Sequence, residues 1–204
     1  MMTERDRFVV RTADELVRRH GLTLPVDVAA LCRHYGARLV TLSELERRGM
    51  SREAVFAVWG NRDGVAMASR RGRTIGYNDR AAEKRIRFTL AEELMHLLLG
   101  HTEDERFRLG EQSYDAETYA LYEAEAQPGA CMLLVPPTVY FRYRELYGVG
   151  GIARLCRVSR ACAWTAAQYY DQNEKELRAL FTARPLKCDT RGLTRRSPLR
   201  PLRL

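Results

Sequence analysis

The chain has 204 residues, 46% of them hydrophobic, enough for one ordinary domain with an appendage. No run approaches the roughly 20 apolar residues of a membrane-spanning helix, and the N-terminus MMTERDRF lacks the apolar core of a secretory signal, so a cytoplasmic protein is the simplest expectation. The formal net charge of +8 is uneven: from Arg184 to Leu204 seven basic residues face Asp189 alone, which leaves the body close to neutral.

In chain order, Val9, Ala13, Leu16 and Val17 recur at helical spacing within a segment from Phe8 to His20, and Gly21 ends it. A second helix is expected from Pro25 to about Tyr35. Strands are expected at Ala37–Thr41, Val55–Trp59, Val65–Ser69 and Thr74–Tyr77, with Asp63-Gly64 and Arg71-Gly72 as turns, which reads as an antiparallel meander. Long helices follow at Arg80–Gly100 and Asp115–Leu134, the second ended by Pro136-Pro137. The five cysteines are odd in number and none forms a C-x-x-C pair, so reduced thiols are expected.

The chemistry concentrates in RIRFTLAEELMHLLLGH, Arg85 to His101. Glu92 and His96 are four residues apart, on one helix face, and Glu93 sits about 100° round from Glu92. A zinc-peptidase helix reads H-E-x-x-H, two histidine ligands with a glutamate base between. Here the first histidine is Glu92. Alone, E-E-x-x-H also describes an amphipathic helix with a solvated Glu-Glu pair. His101, five residues beyond His96, reads as a polar helix-end residue, with a ligand or substrate contact as the alternative, and His20 and His34 read as structural.

A second segment, EAEAQPGACMLLVP from Glu123 to Pro136, joins the first. Together they resemble the ImmA/IrrE family of metallopeptidases, whose segments read RFTLAHELGHLLLGH and E-x-E-A-N-x-F-A-x-x-L-L-M-P. Gln127, Gly129 and Val135 depart from that pattern; Ala130, Leu133, Leu134 and Pro136 keep it. The resemblance also takes in Ala13–Val40 and Val65–Asn78. It implies an α+β, zincin-like core of helices on a small, mainly antiparallel sheet. It implies a metal held by Glu92, His96 and Glu125, with Glu93 as general base. Zn²⁺ is the expected ion, and carboxylate ligands widen the choice to Mn²⁺ or another divalent metal, or to none. It further implies an intracellular endopeptidase that cuts a helix-turn-helix repressor, as in phage, mobile elements or stress responses. The substitution at Glu92 keeps a second expectation open: a non-catalytic relative that binds a repressor or DNA. Tyr119 and Tyr122, near Glu125 in sequence, are candidates to donate to an oxyanion or to pack.

Gly151 to Tyr170 resembles a helix-turn-helix, with Val158-Ser159 at the turn and Arg157, Arg160 and Gln168 as candidate DNA contacts. The expected organisation is 1–147 peptidase-like domain, 148–183 helical extension and 184–204 basic, disordered tail, the last able to touch nucleic acid or an acidic partner.

Overall fold

The computed structural model describes residues 2–60, 62–103 and 116–182, and residues 184, 186, 190, 191 and 193. It is α+β. Thr3 caps helix α1 (Glu4–His20) through a reciprocal pair with Asp6, and Gly21 closes it in the left-handed region at φ 51°. The second helix starts later than Pro25 suggests. Asp27 is its N-cap, accepting from the Ala30 amide, and α2 spans Val28–His34. Strand β1 is Ala37–Thr41, as the sequence predicts.

The next segment corrects the sequence reading. Val55–Trp59 is not a strand. Helices α3 (Leu42–Arg47) and α4 (Arg52–Val58) occupy the interval, capped by Thr41 and Ser51 through bonds to the Glu44 and Ala54 amides. Val55 and Trp59 are four apart and both buried, packing with Leu42 in a small core of their own. One helical turn brings both side chains to that core, with Phe56 partly buried against it.

Strands β2 (Gly64–Ser69) and β3 (Gly72–Tyr77) pair antiparallel, but β1 joins β3 in parallel, so the sheet is mixed with order β1-β3-β2. A meander fails for β1 because two helices intervene, and they carry the chain back to the same end of the sheet.

Helix α5 (Glu83–Leu98) lies between this sheet and α6 (Ala116–Leu134). Every residue from Thr89 to Leu97 is buried, so the helix is enclosed on all sides rather than amphipathic. Leu90, Leu94 and Met95 belong to the main core, which includes Val10, Leu16, Met132 and Leu133. Arg87 donates to the Val26 and Cys156 carbonyls at 2.9 and 3.3 Å, tying α5 to the chain before α2 and to the end of α7. A 3-10 turn, His101–Glu103, follows α5.

Pro136 and Pro137 end α6, and Pro137 opens α7 (Pro137–Cys156), which breaks at Gly148 (φ 60°, ψ 179°). The second part of α7 turns at Arg157, Val158 and Ser159 into α8 (Arg160–Gln172), and α9 (Glu174–Leu180) closes the set. Val158 is buried and its amide reaches the Ala153 carbonyl at 3.0 Å, which shapes the turn. Most of the 184–204 segment lies outside the described residues; of those described, Leu186 is buried in the main core and Leu193 packs against it. Among the described residues no helix is long and apolar enough to cross a membrane.

Gly64 sets how closely β2 approaches α5. A Cβ there would stand 2.3 Å from Thr89 Cγ2, 3.1 Å from the Gly76 carbonyl and 3.3 Å from Glu93 Cγ. Gly64→Ala is expected to destabilise the fold by about 1–3 kcal/mol through overpacking, read as a lower urea midpoint at unchanged slope. An unchanged midpoint would mean the sheet and α5 are not in rigid contact.

Candidate active site

The motif side chains are not a solvated pair. Glu92 is 9% exposed, Glu93 5% and His96 2%, inside the cleft between β2, α5 and α6. Burying charges costs several kcal/mol each unless partners compensate. The partners come from α6, α1 and the turn after α5.

His96 is the hub. Its Nδ1 lies 3.0 Å from His101 Nδ1. His101 Nε2 lies 2.9 Å from Glu125 Oε2, and the Arg5 Nε of α1 reaches the same oxygen at 2.8 Å. A carboxylate only accepts, so His101 Nε2 carries the proton. Burial depresses His101 to about 4, so the ring is neutral and its Nδ1 accepts. His96 Nδ1–H is therefore the donor, which aims His96 Nε2 at the cleft. Holding one ring nitrogen so that the other is presented is how outer partners orient a metal-ligating histidine. Tyr122 stacks on the His101 ring at 4.3 Å and 14°, fixing its plane.

Thus Glu125, expected as a ligand, has its carboxylate on His101 and Arg5. The carboxylate that meets His96 Nε2 is Glu123 Oε1, at 3.5 Å. The two glutamates are two residues apart on α6, about 200° round the helix, so they serve different neighbours. That separation is long for a hydrogen bond. It is close to the distance between two ligands of one tetrahedral ion with bonds of about 2.0–2.1 Å.

Glu123 is also held from its other side. Gln127 Nε2 donates to its Oε2 at 3.0 Å, Tyr119 bonds it, and Arg62 NH1 stands 3.6 Å from Oε1. Burial works to raise its pKa, but the bonds from His96, Tyr119 and Gln127 outweigh this and bring it to about 2. Arg62 NH1 also lies 3.3 Å from the Tyr119 hydroxyl and its guanidinium lies over that ring. Of the two tyrosines named from sequence, Tyr119 faces the carboxylate and Tyr122 packs on His101.

Glu92 has less help. Burial, then the charges of Glu123 and Glu93, raise its pKa to about 7. Glu93 is also raised, by burial, against the pull of His96 and a hydrogen bond with the Ala66 backbone of β2. Burial opposes a proton on His96, yet the bond to Glu123 and the charges of Glu93, Glu123 and Glu92 together raise it. Three carboxyl groups stand around one imidazole and the Arg62 guanidinium, so their full ionisation would leave buried negative charge in excess, the condition that a divalent cation relieves.

The donor chemistry suits such an ion: two carboxylates and an imidazole, with His96 and Glu123 at a ligand–ligand distance. Among the described residues, however, no three His, Cys, Asp or Glu side chains are gathered around one point as an ion requires.

Sequence reasoning passed over Glu123 and Arg5, and its first reading of His101, a polar helix-end residue, does not describe a ring that is 1% exposed. A signal for Glu123 was present, since E-x-E offers two carboxylates; a signal for Arg5 was not, because it comes from a distant helix. His20 and His34 are structural, as expected: their rings meet edge-on at 4.5 Å, and His20 Nε2 lies 3.0 Å from the Tyr35 hydroxyl. Arg157, Arg160 and Gln168 are all exposed, with Arg157 3.9 Å from Glu83.

Glu92 gives a pH test. A carboxyl raised from 4.5 to about 7 binds more protons folded than unfolded, so stability falls as pH rises through that window and the cost is complete above it. Glu92→Gln is expected to stabilise the metal-free protein by about 1–3 kcal/mol at pH 8 and by nearly nothing at pH 4.5. Chemical denaturation in chelator at both pH values reads this; equal effects would place Glu92 in solvent.

A family model described as the IrrE N-terminal-like domain, Peptidase_M78, matches residues 54–164, just over half of the chain and all of this cleft's α5 and α6 residues. No curated protein matches the chain.

Proposed function

Because the chain belongs to the IrrE N-terminal-like peptidase family, we propose that its cleft is a metal-dependent endopeptidase centre built on Glu92, His96 and Glu123. The observation that carries this reading is the spacing of His96 Nε2 and Glu123 Oε1, 3.5 Å, with His96 fixed from behind by His101 and Glu125. The ion, when bound, supplies Lewis-acid polarisation of a scissile carbonyl. Glu93, buried beside the ligands, takes the proton of the attacking water and passes it to the leaving amine. A carboxyl pushed above its ordinary range is suited to both tasks near neutral pH. The Tyr119 hydroxyl donates to Glu123 and accepts from Arg62, so its part is to hold that carboxylate. Arg5, His101 and Glu125 orient the site without touching the reacting atoms.

Zinc is the ion proposed, with Mn²⁺ the competitor that a two-carboxylate set admits. Two carboxylates cancel the full charge of the ion, so activity is expected to be low. The proposed substrate is a helix-turn-helix repressor, cut inside the cell, which is what the resemblance of the motif segments implies.

One observation favours a second reading. Among the described residues no three His, Cys, Asp or Glu side chains gather as an ion requires, which suits a relative that binds a repressor without cutting it. DNA contact belongs with that reading, through the exposed Arg157, Arg160 and Gln168 and the basic tail.

Metal content of the purified chain separates the two. Near-stoichiometric zinc is expected, abolished in His96→Ala and in Glu123→Ala. In Glu125→Ala the affinity should fall about 10–100-fold, the usual loss when an outer partner is removed. Glu92→His should tighten zinc and speed cleavage of a repressor; Glu93→Gln should keep zinc and lose cleavage. A chain that takes up no zinc even as Glu92→His is a binding protein.

A further inference from the structure

A cavity of about 620 Å³ opens between the start of α5, the middle of α6 and the exposed wall of α8. We propose that it binds a small amphipathic anion, an apolar body of about ten carbons with one carboxylate or sulfonate head. The inference stands on this cavity alone and does not depend on whether the neighbouring cleft cuts peptides.

Size comes first. Cavities that enclose whole small ligands span about 300–1,000 Å³. A void of about 150 Å³ already holds a benzene, so 620 Å³ exceeds what a single peptide side chain would fill. The walls are apolar: Phe88 of α5, Pro128 and Cys131 of α6, Ala166 and Tyr170 of α8 among them. Burying an apolar guest there is worth about 25 cal/mol per Å².

Charge decides the class of head group. The two ionic side chains of the lining are Lys84 and Arg85, and no carboxylate is among the described lining residues. Arg85 is already engaged by Asp63 at 2.8 Å, whereas Lys84 is exposed at the mouth. Lys84 is therefore the cation that meets an acidic head. Gln127, Ser159 and Thr165 supply neutral polar groups.

The position matters. Gln127 lines the cavity and donates to Glu123, the carboxylate facing His96. A guest that draws on the Gln127 amide changes what holds Glu123, so occupancy is expected to alter the cleft, and anything binding the cleft to alter occupancy by the same factor.

The test uses the full chain, with 8-anilino-1-naphthalenesulfonate as fluorescent probe and decanoate and 1-decanol as competitors, decanoate below its micellar range. One saturable probe site is expected, displaced by both competitors, with a melting temperature that rises with decanoate. Thr165→Trp, on the exposed wall, should fill the cavity and weaken probe and competitors at least tenfold. Ala161→Phe on the same wall repeats the test if that variant melts early. Lys84→Glu should weaken decanoate at least tenfold and move decanol less than twofold. Unsaturable probe signal, or full binding in both filled variants, overturns the site. Equal loss of decanoate and decanol in Lys84→Glu overturns the anionic head.

Discussion

The cleft depends on one line of contacts: Arg5 to Glu125, Glu125 to His101, His101 to His96. Each link removes a choice from the next. The arginine and imidazole hold the carboxylate; the carboxylate settles which nitrogen of His101 carries a proton; that proton settles which face His96 presents. Without this line, a nearly inaccessible imidazole beside three carboxylates would have several arrangements of similar energy. With it, Nε2 points at Glu123. The same line also joins three elements far apart in sequence, α1, α6 and the turn after α5, so tertiary packing and site geometry are one problem here.

The enclosure of α5 follows from its place. A helix buried from Thr89 to Leu97 has no solvent side on which to leave Glu92, Glu93 and His96. A stable solution clusters them, so that each opposite charge offsets part of the desolvation cost of the others. The balance is incomplete: one histidine and the Arg62 guanidinium face three carboxyl groups, and burial with the charges of Glu123 and Glu93 raises Glu92 to about 7. A histidine at that position would be neutral when deprotonated and would not add to the excess. The exchange of His for Glu is thus felt electrostatically before any metal is considered.

Much of this was legible in the residues. The α+β class, strands β1 to β3 and the main helices follow from periodicity and caps, and the i, i+4 spacing of Glu92 and His96 put both in one cleft. Three features were not legible. Val55–Trp59 looked like a strand because it is short, apolar and aromatic, yet a serine cap and the pairing of Val55 with Trp59 over one turn make it helical. The parallel pairing of β1 depends on where α3 and α4 return the chain, which no local pattern records. Which of Glu123 and Glu125 faces His96 is a matter of helix phase against a neighbour, and α6 packs on both α1 and α5.

The first helix carries a further meaning. Arg5 lies in the opening turn of α1, bonded to Glu125 and 3.4 Å from the Leu99 carbonyl. The family match begins at residue 54. An excised fragment from 54 to 164 would therefore discard the strand β1 that borders β3, the helix that backs α6, and the guanidinium that anchors the histidine line. The segment that the family model matches and the set of residues that builds the cleft have different borders in this protein. The matched segment holds Glu92, Glu93, His96 and Glu123, while Arg5, outside it, bonds the Glu125 carboxylate that meets His101.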